Sequence, residues 1–165
     1  MVDLKKCSAH QPDSEPLALD LIERMFFGYR DFVGVADELL ATIGYGRAHH
    51  RVLHFVDRNP GLTVGDLLGI LKVTKQGVAR VLKTLVDDGF ITVRQGVADR
   101  REKCLATTAK GHDLARTITA IQTEKIHAAL EAAGPANRDA IAMFLAALVD
   151  EDERADVLSR IAGGV

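Results

Sequence analysis

Five side chains between residues 74 and 83 are of types that bond phosphates and base edges: Thr74, Lys75, Gln76, Arg80 and Lys83. Glutamine can hold adenine through two hydrogen bonds, and arginine or lysine can hold guanine. They alternate with Val78, Val81, Leu82 and Leu85, whose steps of three and four make one buried helical stripe. The polar set therefore lies away from that stripe. Gly77 and Ala79 leave room for close approach to a base edge. Free N–H groups at the start of such a helix add a phosphate-binding point. Most charged helix faces are merely solvated, so a second feature has to decide between the two readings.

That feature is the run Ala98-Asp99-Arg100-Arg101. Asp99 can hold Arg100 or Arg101 in a fixed pose through a charge-assisted bond. An arginine held this way can enter a minor groove, where the potential is most negative. The alternative is an exposed turn with a weak ion pair. Charge is also segregated along the chain. Residues 63–111 hold nine Lys and Arg against five Asp and Glu, and the rest holds twelve against eighteen, within a net charge of −2. Neutralising phosphates needs a local basic patch, not a basic protein.

The elements that must position these groups follow from pattern. With 165 residues, 27% charged and 47% hydrophobic, the chain reads as one globular domain with appended helices. Its longest uncharged apolar run, Ala140 to Val149, is about half of the roughly 20 residues a membrane-spanning helix needs. No signal peptide, CxxC pair or disulfide framework is visible, so a cytoplasmic location is expected, with no membrane, metal or cofactor. Residues 1–16 read as a flexible tail. A long amphipathic helix is expected from Leu17 to Ile43 and a second from Arg47 to Arg58, broken at Asn59-Pro60-Gly61. Thr63 and Thr74 are N-cap candidates for two short helices, the second ending at Asp88-Gly89. Phe90–Gln95 and Arg101–Thr107 form a hairpin around Gly96–Asp99. Thr108 caps a long helix to Ala133, and one more helical stretch follows Gly134-Pro135.

The fold class is therefore mostly α: a winged helix–turn–helix over 62–107, with long N- and C-terminal helices forming a dimerisation region over 17–61 and 108–162. The terminal stripes exceed what the central unit can cover, and a twofold dimer is the economical partner surface.

From Leu62 to Gly111 the sequence resembles the MarR family of bacterial transcriptional regulators. The matching stretches are Leu62–Leu68, Val73–Leu82, Leu85–Ile91, Asp99-Arg100-Arg101 and Thr107–Gly111. Val93 and Thr107 depart from the family's usual basic residue and leucine. The resemblance implies a homodimer, usually a repressor, on a palindromic operator of double-stranded DNA. The Thr74–Asp88 helix would lie in the major groove and the wing around Asp99–Arg101 in the adjacent minor groove, with half-sites about one helical turn apart. It also implies release of DNA when an effector binds the two conformations unequally.

Three effectors are weighed. A small organic molecule, often aromatic and anionic in the family, would meet Arg30, His49 and His50, polar groups on otherwise apolar helices; the plainer reading is a set of core-edge or ion-pairing residues. A metal would use His50 and His54, four apart, with Asp57, but this lacks a cysteine pair or a catalytic Glu. An oxidant would use Cys7 or Cys104, and a reactive thiolate needs a positive or helix-N-terminal setting. No catalytic motif such as GxSxG, HExxH or a P-loop occurs, so an enzyme is not expected. A winged helix used only for protein contact would not need arginines at its tip.

Overall fold

The computed structural model describes residues 18–96 and 102–163. The expected tail with Cys7, and the hairpin tip with Asp99, Arg100 and Arg101, lie outside the described residues. Helix α1 spans Leu19–Ala41, and the chain divides within it into two compact units, one ending at Asp31 and one starting at Phe32. In the first unit, Leu19, Leu21, Ile22, Met25, Phe26, Phe27 and Tyr29 are all exposed. The period-3.6 stripe of this segment thus has no cover within the described residues.

The second unit carries the rest. Helix α2 spans Arg47–Arg58, α3 Val64–Leu71, α4 Lys75–Asp87, β1 Ile91–Gln95, β2 Lys103–Thr107 and α5 Ala109–Ala133. A 3-10 turn at Pro135–Asn137 leads to α6, Arg138–Ala147, and α7, Glu151–Gly163. The core is built from the second half of α1 (Ala36, Leu40), α2 (Val52, Leu53, Val56), α3 (Leu67, Leu71), α4 (Val78, Leu85), the hairpin (Ile91, Leu105) and α5 (Ala115, Ile118). No polar or charged residue is buried among the described residues. Burial of this aliphatic set, at about 25 cal/mol per Å2, is the main force holding α4 and the hairpin in place.

The strands pair antiparallel in the register Ile91↔Thr107, Val93↔Leu105, Gln95↔Lys103. The segment before α3 adds to this ladder: Gly61 N–H donates to Leu105 O and Leu105 N–H to Leu62 O, at 2.9 and 2.8 Å. The hairpin is thereby tied to the start of the helix–turn–helix. Gly89, at φ 76°, turns the chain out of α4, and Phe90 N–H bonds Leu85 O. Gly111 lets α5 approach the hairpin, because a Cβ there would lie 2.0 Å from Phe90 O.

Most expected elements are present. The final stretch differs, since it is two helices rather than one. The break lies at Leu148–Asp150, where the Arg154 guanidinium bonds the carbonyls of Ala146, Ala147 and Val149 at 3.0–3.1 Å. One side chain thus satisfies the carbonyls that the end of α6 leaves open. Among the described residues no helix is long and apolar enough to cross a membrane.

Candidate nucleic-acid interface

The start of α4 is fixed by sequence chemistry. Thr74 is extended (φ −67°, ψ 144°), and its hydroxyl accepts the Gly77 N–H at 3.2 Å. The preceding helix starts the same way: Thr63 accepts from Asp66 N–H at 3.1 Å, and Asp66 reaches back to Thr63 in a reciprocal capping box. Two caps therefore set where both helices of the motif begin, and buried Val78 and Leu85 set the rotation of the second.

That rotation leaves Thr74, Lys75, Gln76, Gly77, Ala79, Arg80 and Lys83 exposed. The side chains of Lys75, Gln76 and Arg80 make no hydrogen bond or ion pair among the described residues, while the Arg80 carbonyl accepts the Thr84 hydroxyl at 3.2 Å. Lys83 differs, pairing with Asp87 one turn later, which raises its pKa from the ordinary lysine value through that bond. A phosphate or base would have to compete with Asp87 for Lys83, but among the described residues not with any carboxylate for Arg80. Beside this face a cavity of about 490 Å3 opens between α2 and α4, with Arg51, Leu71, Val73, Gln76 and Arg80 in its wall. Arg51 is held there by the Leu71 carbonyl at 3.1 Å.

On the hairpin, Val93, Arg94 and Gln95 are exposed, and as successive strand residues Arg94 and Gln95 present a cation and an amide on opposite faces of β1. Gly96 N–H bonds Glu102 O at 2.9 Å, closing the ladder at the base of the tip.

Residues 43–102 match the profile of the MarR family. The HTH-type transcriptional regulator PetP of Rhodobacter capsulatus is 46% identical over 129 residues, 78% of each chain. The chain belongs to the MarR family. Among solved structures, the transcriptional repressor CouR bound to a 23-mer DNA duplex superposes with a TM-score of 0.66 at 23% identity, covering 87% of this chain and all of that one. NadR in complex with 4-hydroxyphenylacetate gives 0.68 at 19% identity, over 87% and 99%. This MarR-family chain is thus a transcriptional regulator with a DNA-binding winged-helix fold, and its relatives are regulators rather than enzymes.

The candidate effector residues fall in different places. Arg30, in the first unit, bonds Asp31 at 2.7 Å and lies over the Phe27 ring at 4.9 Å; the Asp31 bond raises its pKa. His49 and His50 are neighbours on α2, and neither lines the cavity beside α4. The His49 ring stacks on Tyr45 at 4.4 Å and 10°, and its Nδ1 accepts the Gly46 N–H. His50 meets His54 edge-on at 6.2 Å. Burial lowers the pKa of His49, His50 and His54, so all three favour the neutral form. Asp37 ion-pairs with Arg47 at 2.7 Å, and its other oxygen is buried without a hydrogen-bond partner among the described residues.

His50 and His54 do not converge with Asp57 on a metal. Asp57 instead accepts the Thr107 hydroxyl and meets His112 Nδ1, both at 2.9 Å, tying α2 to β2 and α5. Cys104 is half-buried in β2, opposite Arg94.

One long-range contact beside the α4 face carries no signal in the sequence. Tyr45 Oη donates to Asp88 Oδ2 at 2.6 Å, joining the turn before α2 to the residue that ends α4. The two lie 43 positions apart, and no local pattern signals such a pair.

Proposed function

We propose that this protein is a homodimeric repressor that binds a palindromic operator in the cytoplasm and releases it on binding a small molecule. The observation that carries the DNA contact is the face of α4: Thr74, Lys75, Gln76 and Arg80 are exposed, and no carboxylate holds Lys75 or Arg80 among the described residues. Thr74 and the helix start would take a phosphate, Gln76 and Arg80 base edges, and Lys75 and Lys83 phosphates. Asp99, Arg100 and Arg101 would form the minor-groove tip. CouR, bound to a DNA duplex, supports the reading.

The dimer is supported by apolar side chains that a monomer leaves in water. Phe26 is 71% exposed in the first unit, and Met143 73% and Ile161 63% in the second. For the effector, His49 and His50 are the candidate contacts in the second unit and Arg30 in the first, and NadR with its hydroxyphenylacetate supports a ligand of that kind. The orphaned oxygen of Asp37, whose charge acts on His50, is an acceptor that a bound hydroxyl could use. A ligand against His49 would press on Tyr45 and, through Asp88, on the end of α4.

Titrating the protein onto genomic fragments selected for binding, at several salt concentrations, tests this. Affinity should fall linearly in log–log form. Gln76→Ala should alter base preference at one half-site position by about 1–3 kcal/mol, and Arg101→Ala should weaken binding with the dimer intact. Binding without salt dependence would sink the reading. Equal weakening on all sequences by Gln76→Ala would make Gln76 a phosphate contact instead.

A further inference from the structure

The joint between α3 and α4 holds a cation that the reading above leaves unused. Lys72 follows α3 at φ 49° and ψ 46°, the left-handed region, and no other non-glycine residue has positive φ among the described residues. A Cβ is strained there and glycine would avoid the cost, so the position points to a use for the side chain. Lys72 lies two residues before Thr74, at the end of α4 that carries Lys75 and Gln76.

Its ammonium is already occupied. Nζ lies 2.6 Å from Glu153 Oε1 in the first turn of α7. The Glu153 bond raises the lysine pKa, and the nearby Asp150 and Asp152 raise it further. The pair is open to water, with 57% of the Lys72 side chain and 41% of the Glu153 side chain exposed. Carboxylates at a helix start also offset the macrodipole, but that role needs no lysine and leaves the Lys72 backbone unexplained.

We propose that Lys72 is a further DNA-phosphate contact, masked in the free protein by Glu153, so that a phosphate and the start of α7 compete for one ammonium. The proposal rests on the DNA-binding reading above. Binding then exchanges one ion pair for another, and the acidic start of α7 acts as a sequence-independent brake on the reading head. Any event that draws α7 away from Lys72 strengthens DNA binding without touching α4.

The test uses the full chain and a duplex of arbitrary sequence, since phosphate contacts govern non-specific binding. Glu153→Gln should tighten binding about 1.4- to 5-fold per subunit, the range of an exposed pair. Lys72→Gln should weaken binding and lower the log–log salt slope by about 0.9 per subunit. Lys72→Gly, which relieves the backbone and so keeps the motif folded, should do the same. In either Lys72 background Glu153→Gln should have no effect. An unchanged slope in both Lys72 variants overturns the proposal, as does a Glu153→Gln gain that persists without the lysine. Loss of salt-dependent binding by the wild type is a different failure, that of the DNA-binding reading itself.

Discussion

Replacing Tyr45 by phenylalanine deletes one hydroxyl and leaves the ring contacts in place. The ring is 8% exposed, stacked on His49 and set edge-on to Phe90 at 5.5 Å. What is lost is the 2.6 Å bond from Oη to the Asp88 carboxylate. A hydrogen bond to a charged group contributes about 1.5–3 kcal/mol. Asp88 is exposed, so water can take the place of the hydroxyl and the lower end applies. Tyr45→Phe should therefore cost about 1.5 kcal/mol at pH 7, or about 3–6 °C in Tm for a chain of this size. The effect has a pH signature. Burial first, and then the Asp88 bond, hold the phenol pKa above its ordinary 10.0. A raised pKa means that the folded state keeps its proton while the unfolded chain gives it up, so this stability is complete below pH 10 and declines above it. The slope approaches about 1.4 kcal/mol per pH unit, which closes the gap between wild type and variant near about pH 11. Urea unfolding at fixed protein concentration, from pH 7 to 11, measures it. Exposed Tyr29 is shared by both proteins and cancels. A gap that stays constant to pH 11, or no gap at pH 7, would refute the reasoning.

Other changes probe the remaining links. Gly111→Ala puts a methyl 2.0 Å from a backbone oxygen that cannot move away cheaply; a loss of about 3 kcal/mol in urea unfolding is expected. Thr74→Ala removes the cap of α4 and should cost about 1 kcal/mol together with weaker DNA binding, and Thr74→Ser should restore the stability. Met143→Glu adds a charge to an exposed apolar face of α6. Sedimentation equilibrium should show the proposed dimer weakened by about 10-fold or more, with helicity unchanged by circular dichroism; an unchanged association constant would place any dimer contact elsewhere.

The elements of the winged helix and the start of α5 were legible because their signals are local. Thr63, Thr74 and Thr108 each bond an N–H three residues on, and a bond spanning three residues can be read from residue types alone. Gly89 closes α4 for the same reason, as its positive φ needs nothing beyond its own backbone. The exposed face of α4 was legible too, because a stripe with period 3.6 assigns the opposite face without knowing the partner. The break between α6 and α7 was not. No Pro or Gly marks it, and it depends on Arg154 folding back across several residues to reach three carbonyls.

Periodicity also says that a face will be covered without saying by what. Val33 and Leu40 in the second half of α1 are buried in the core of their unit, whereas Ile22, Met25 and Phe26, which carry the same stripe in the first half, are exposed. The two halves read alike in sequence, and only the second finds its cover within the described chain. Long-range polar pairs are hidden for a related reason. Tyr45–Asp88, Asp57–Thr107 and Lys72–Glu153 join residues tens of positions apart. Each spans elements whose separation is set by packing rather than by the local sequence. The core thus decides where α4 points, and these polar pairs, each a small term beside the core, join elements that packing has brought together.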